Sequence, residues 1–133
     1  MIKRVHHVAI VVRDLEQGLA FYCDKLGLRL DKVETVAEQG VKAALLALEN
    51  AEIELLEPTD PEGGVGRFLE RRGEGLHHVC FTTPDIGAAI ADLKAREVEL
   101  IDAEPRYGLA GLICFLHPRS HAGVLVELVE TDD

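Results

Sequence analysis

Two short segments of this chain carry the same residues. His6-His7-Val8 near the start recurs as His77-His78-Val79. A second match joins Ile53-Glu54-Leu55-Leu56-Glu57 to Val126-Glu127-Leu128-Val129-Glu130. In an extended strand, residues two apart share a face and neighbours do not. His7 then lies with Ala9 and Val11, opposite the heavier apolar set Val8, Ile10 and Val12, while His78 lies with Cys80 and Thr82. Glu54 opposes Ile53 and Leu55, and Glu127 opposes Val126 and Leu128. The heavier sets belong under a helix, so the four polar side chains are expected on the open face. A carboxylate inside an apolar strand is costly to bury without a partner. Two carboxylates and two imidazoles at equivalent positions suggest one shared partner, a divalent cation. This donor set suits a borderline first-row ion and leaves positions for substrate or water. Taken singly, each residue has a plainer reading. A histidine near a strand edge is ordinarily structural, and a glutamate in a half-exposed strand ordinarily faces water. The symmetry of the quartet is what favours ligation.

The elements that must position these residues also repeat. Val5 to Val12 is β-branched and reads as a strand. Asp14 offers a helix N-cap, and Gln17 completes a capping-box pattern. Leu15, Leu19, Tyr22 and Leu26 recur at helical spacing, and Gly27 marks the end. Strands are expected at Arg29 to Val36, Val41 to Leu48 and Glu52 to Leu56. The second half repeats the order: a strand over Leu76 to Thr82, a helix capped by Asp85 and carrying Ile86, Ile90 and Leu93, then strands near Glu99 to Ile101, Leu112 to Leu116 and Val124 to Val129. The expectation is α+β, with two tandem βαβββ modules in a single domain over residues 1–133. Module one covers about 4–58 and module two about 75–131, joined by a linker over 59–74 in which Val65 to Arg72 has room for a short helix.

Composition limits the function. The chain has 133 residues, 47% of them hydrophobic, which is one domain's worth of core. Its 24 acidic residues against 14 basic ones give a net charge of −10. That disfavours nucleic acid, whose partners concentrate positive charge, and anionic membranes likewise. No apolar run approaches the ~18 residues of a spanning helix, and the N-terminus does not read as a signal peptide. Cys23, Cys80 and Cys114 are odd in number and lack C-x-x-C spacing, as expected of a cytoplasmic protein. The glycine-rich Glu62 to Gly66 follows no strand-to-helix phosphate pattern and reads as linker. Tyr107 to Gly111 reads as a turn. Arg67, Arg71, Arg72 and Arg119 are candidates for an anionic ligand, with solvated surface the plainer reading.

The paired modules with a His/Glu quartet resemble the vicinal-oxygen-chelate superfamily over nearly the whole chain. That resemblance implies a cup-shaped, eight-stranded mixed sheet around a divalent metal, with His7, Glu54, His78 and Glu127 as its ligands. Within the superfamily the chain looks most like the methylmalonyl-CoA epimerase family. The most specific segment is the tail, Phe115-Leu116-His117-Pro118-Arg119-Ser120 running into Gly123-Val124-Leu125-Val126-Glu127-Leu128. The linker end Gly73 to His78 and the segment Glu38-Gln39-Gly40-Val41 also contribute. The resemblance implies metal-dependent epimerisation of an acyl-CoA substrate, methylmalonyl-CoA, at C2 by 1,1-proton transfer through a metal-chelated enolate. Among metals, Co²⁺ is favoured, with Mn²⁺, Ni²⁺ or Zn²⁺ open. A homodimer is expected. Glu127 and Glu54 are the candidate bases.

One departure matters. Some similar epimerases have Gln at the Glu54 position and a separate Glu in the strand occupied here by Val41 to Leu48. Ala43 stands where that Glu would be. Rival readings stay open at this point: a glyoxalase I-type isomerase acting on a glutathione hemithioacetal, an extradiol dioxygenase, or a non-catalytic small-molecule binding protein of the same superfamily.

Overall fold

β1 (Val5–Val11) alternates in burial along its length, and its inward residues are His7, Ala9 and Val11. The computed structural model describes residues 1–132. The module order is α+β as expected. After β1 come α1 (Leu15–Leu19), β2 (Arg29–Val36), β3 (Val41–Ala47) and β4 (Glu52–Pro58). The linker forms α2 (Gly64–Arg72). Then follow β5 (Gly75–Thr83), α3 (Ile86–Ala95), β6 (Arg106–Gly108), β7 (Gly111–Leu116) and β8 (Val126–Glu130). No helix among the described residues is long and apolar enough to cross a membrane.

The chain divides into two compact units. One is His7–His77, and the other joins residues 1–6 to the segment from His78 onward. In the first, the strand order is β2-β3-β4-β1, with β1 and β4 parallel and the remaining pairs antiparallel. In the second, the order is β5-β8-β7-β6, with β5 and β8 parallel and the rest antiparallel. Residues at the chain start belong to this second unit through two backbone bonds: Lys3 N–H donates to the Thr82 carbonyl, and Thr82 N–H donates to the Arg4 carbonyl.

Each unit packs a helix on one sheet face. Leu15, with Leu19 and Tyr22, meets Ala44, Leu46, Leu55 and Ile53. In the second unit Ile86, Ala89, Ile90 and Leu93 meet Cys114, Leu128 and Phe81. Asp14 caps α1, its Oδ1 accepting from Glu16 N–H at 2.9 Å and Gln17 N–H at 3.4 Å. Asp85 caps α3 through Ala88 N–H at 3.0 Å.

Three local expectations need correction. Leu26 is 56% exposed although its spacing put it on the buried helix face. The first helix widens to a π-helix over Ala20–Lys25, with Leu26 N–H donating to Phe21 O. An i→i+5 pattern turns the chain less per residue, so Leu26 drifts off the apolar face. Gly27 then ends the segment at φ +81. The expected strand over Glu99 to Ile101 is reduced to one bridge, Leu100 to Leu116. The second strand of module two is instead Arg106–Gly108, and part of the supposed turn at Tyr107 to Gly111 is strand. Finally, the face expected to be open is as buried as the helix face. Ala9, Val11 and Cys80 are 0% exposed.

Candidate metal centre

Within the His7–His77 unit, β1 and β4 run in parallel register, with Ala9 beside Glu54 and His7 beside Glu52. Residues side by side on paired strands share a face. His7 and Glu54 therefore project from the same face, and His7 Nε2 lies 4.0 Å from Glu54 Oε2. The second unit repeats the relation. Cys80 stands beside Glu127 as Ala9 stands beside Glu54. His78, two residues before Cys80, brings Nε2 to 3.0 Å from Glu127 Oε1.

All four side chains are buried. Exposure is 2% for His7, 4% for Glu54, 8% for His78 and 4% for Glu127. Burying an ionised carboxylate costs several kcal/mol unless positive charge and hydrogen bonds compensate. The sequence spends that cost twice, at equivalent positions, each time beside an imidazole. The spacing fits a metal. Two donors each about 2.1 Å from one ion lie about 3.0 Å apart when adjacent and about 4.2 Å apart when opposite. Both observed separations fall in that range. His7 and Glu54 also belong to a group of His and Glu side chains able to hold a metal ion. The donor set, imidazole and carboxylate, suits a divalent first-row ion and is too hard for a thiophilic one.

The expected sites are thus brought together as two pairs, His7 with Glu54 and His78 with Glu127. β3 supplies no carboxylate: it reads VKAALLA, with Ala43 buried beside Leu56. The flagged arginines serve the surface. Arg119 pairs with Glu99 at 2.9 Å, Arg67 approaches Glu62 at 4.0 Å, and Arg72 lies over the Phe68 ring. Two residues near the second pair were not among the expected site residues. Phe115 stands beside Glu127 across β7 and β8, and its ring meets the His78 ring edge-on at 5.4 Å. Arg106 lies over the other end of this contact, with its guanidinium carbon 5.5 Å from the Phe115 centroid. The only advance signal was the apolar run preceding His117, which does not reveal which strand would face it.

Residues 6–115 match the model of the Glyoxalase/Bleomycin resistance protein/Dioxygenase superfamily. Mitochondrial methylmalonyl-CoA epimerase from Mus musculus is 39% identical over 127 residues, covering 94% of this chain and 71% of that protein. A solved methylmalonyl-CoA epimerase in complex with methylmalonyl-CoA and NH4+ superposes with a TM-score of 0.93 at 37% identity, covering 98% of this chain and 96% of that one. A variant of the Streptomyces coelicolor epimerase, in complex with 2-nitronate-propionyl-CoA, matches with the same TM-score, identity and coverage. The chain belongs to the methylmalonyl-CoA epimerase family of this superfamily. As a member of that family it keeps both histidines and both glutamates of the expected quartet, buried and paired. β3 carries no carboxylate at Ala43 or at any other position.

Proposed function

We propose that this chain is a methylmalonyl-CoA epimerase that interconverts the two C2 epimers by 1,1-proton transfer. One observation carries the reading: in a member of this family, two buried His–Glu pairs occupy equivalent positions of two βαβββ modules. We further propose that the modules form one domain, with His7, Glu54, His78 and Glu127 holding one divalent ion. Co²⁺ is favoured, and Mn²⁺, Ni²⁺ and Zn²⁺ are compatible with the same donors.

The chemistry explains why such residues are needed. The C2 proton lies between a thioester carbonyl and a carboxylate, and its loss leaves negative charge on oxygen. A bound divalent cation supplies electrostatic stabilisation to that charge. Glu127 removes or returns the proton on one face of C2, and Glu54 does so on the other. Inversion requires delivery to the face opposite removal, so a single fixed base does not suffice. Glu54 takes the second role because β3 offers no other carboxylate. Burial keeps bulk water from the pair, which strengthens each electrostatic contact. His7 and His78 would hold the same ion beside their glutamates, at spacings that suit ligands sharing one cation.

We place the enzyme in the cytoplasm, as a homodimer. The first part is supported by Cys23, Cys80 and Cys114, none of which forms a disulfide. The second is supported by exposed apolar residues such as Leu30 and Val33 on β2, the edge strand of its sheet. The deciding experiment follows deuterium entry at C2 of methylmalonyl-CoA in D₂O, with and without EDTA. Metal-replete protein is expected to exchange the C2 proton and to stop when the ion is removed. Absence of exchange with ion present overturns the reading.

A further inference from the structure

The proposed substrate is anionic and the chain carries a net charge of −10, so the global field opposes their encounter. Some local positive group must receive the substrate's charge. Arg106 has the required placement. It stands beside Ile113 across β6 and β7, and Ile113 stands beside Val129 across β7 and β8. Ile113, Val129 and Cys80 form one buried cluster on the face that also carries His78 and Glu127. Arg106 therefore projects from the face that bears the candidate ligands, and the Phe115 ring meets both its guanidinium and the His78 ring.

Its setting is built. Asp102 Oδ1 accepts from Arg106 Nε at 2.8 Å, while Asp102 Oδ2 accepts from Phe115 N–H at 2.8 Å. One carboxylate thus ties the guanidinium to the strand that carries the ring beneath it. The Asp102 side chain is only 14% exposed, whereas that of Arg106 is 47% exposed. Asp102 is consumed by structure, and the Arg106 terminal nitrogens have no acceptor among the described residues. A guanidinium fixed at Nε and open at both Nη groups is a fork matched to a carboxylate.

We propose that Arg106 receives the free carboxylate of the acyl group, and so sets specificity for a carboxylated acyl-CoA over its uncarboxylated counterpart. The placement favours the carboxylate over the phosphates of CoA. Arg106 is one ring away from His78, and the carboxylate is attached directly to the reacting carbon. The phosphates lie at the far end of a long flexible arm. Arg106 is thus a substrate-binding residue, with Asp102 and Phe115 positioning it. This inference rests on the functional reading above.

Calorimetric titration of the metal-replete protein with methylmalonyl-CoA and with propionyl-CoA tests it, because the two ligands differ by one carboxylate. Arg106→Gln is expected to weaken methylmalonyl-CoA binding by roughly 10- to 100-fold, the range for a charge-assisted hydrogen-bonded pair. Propionyl-CoA binding is expected to change by less than about 2-fold, since that pair is absent from its complex. Arg106→Lys keeps the charge, loses the fork, and is expected to fall between. It also serves as the test if the glutamine variant does not fold. Equal losses for both ligands assign the residue to the CoA phosphates or to structure and overturn the proposal, as does no loss for either. Wild-type protein that binds no methylmalonyl-CoA refutes the functional reading itself. Wild-type exchange at C2 alongside unaltered binding by the variants refutes only the role of Arg106.

Discussion

Glu57 Oε2 accepts the backbone N–H of Leu15 at 2.8 Å, so the last strand of module one caps the first turn of that module's helix. Glu130 does the same for Ile86 in module two, at 3.0 Å. Each cap comes from the far end of its module in sequence and satisfies a donor that the helix leaves open. A carboxylate there also meets the positive end of the helix dipole. Glu57→Ala and Glu130→Ala are each expected to lower stability by about 1–2 kcal/mol. The double variant should lose about the sum, as for independent sites. Urea denaturation reads this directly, and unchanged midpoints would show the contacts to be dispensable.

Glutamate-to-glutamine changes separate base from ligand. Glu127→Gln is expected to slow deuterium entry at C2 by about 10²- to 10⁴-fold, the usual contribution of a positioned base. Glu54→Gln should slow inversion comparably. If Glu54→Gln leaves exchange unaltered for both epimers, Glu54 is a ligand only, and the second proton is carried by another group.

Metal content should follow the two histidines. Elemental analysis of purified protein is expected to give one divalent ion per chain, and His78→Ala should reduce it strongly. The bound ion also stabilises the fold by mass action, about 2.7 kcal/mol at a free concentration 100 times its dissociation constant. Chelation should therefore lower the melting temperature of the wild type and have little effect on the alanine variant. Equal melting shifts in both would place the ion elsewhere.

The Cys114 thiol is pushed up to about 11, first by burial and then by Asp102 and Glu127. An unfolded cysteine ionises nearer 9. Below that pH the thiol is neutral in both states and contributes no pH dependence. As pH rises from about 9 towards 11, the unfolded chain loses its proton first and folding stability falls. The loss is on the order of 1–3 kcal/mol. Cys114→Ala leaves a cavity whose cost is independent of pH, but should flatten this alkaline decline. Parallel curves for variant and wild type would rule the thiol out.

Gly66 tests how the linker docks. A Cβ at this position would stand 2.4 Å from Asp60 O and 2.8 Å from the Pro61 backbone. Backbone atoms cannot rotate aside as a flexible side chain can, so Gly66→Ala must shift α2 or the turn before it. A loss of about 2 kcal/mol is expected, within the range for overpacking. Gly64→Ala, which meets nothing within 4 Å, is the control and should be nearly neutral.

Much of this molecule was legible in its residues because it was written twice. The alternation of β1 and β5, the aspartate caps and the four candidate ligands all follow from local period and from matching positions in the two modules. Local patterns failed where the outcome depended on distant chain. Leu26 kept helical spacing, but a widened turn carried it off the core. The residues Glu99 to Ile101 read as a strand, whereas the pairing partner of β7 is Arg106–Gly108. Sequence by itself determined the type and equivalence of His7, Glu54, His78 and Glu127, because a side chain's chemistry and its face on a strand are local properties. Only the tertiary structure decided that the pairs are buried, that Glu57 and Glu130 cap helices far from them in sequence, and that Arg106 lies over Phe115. Those relations depend on strand register and on which strands pair, and contacts between residues far apart in the chain set both.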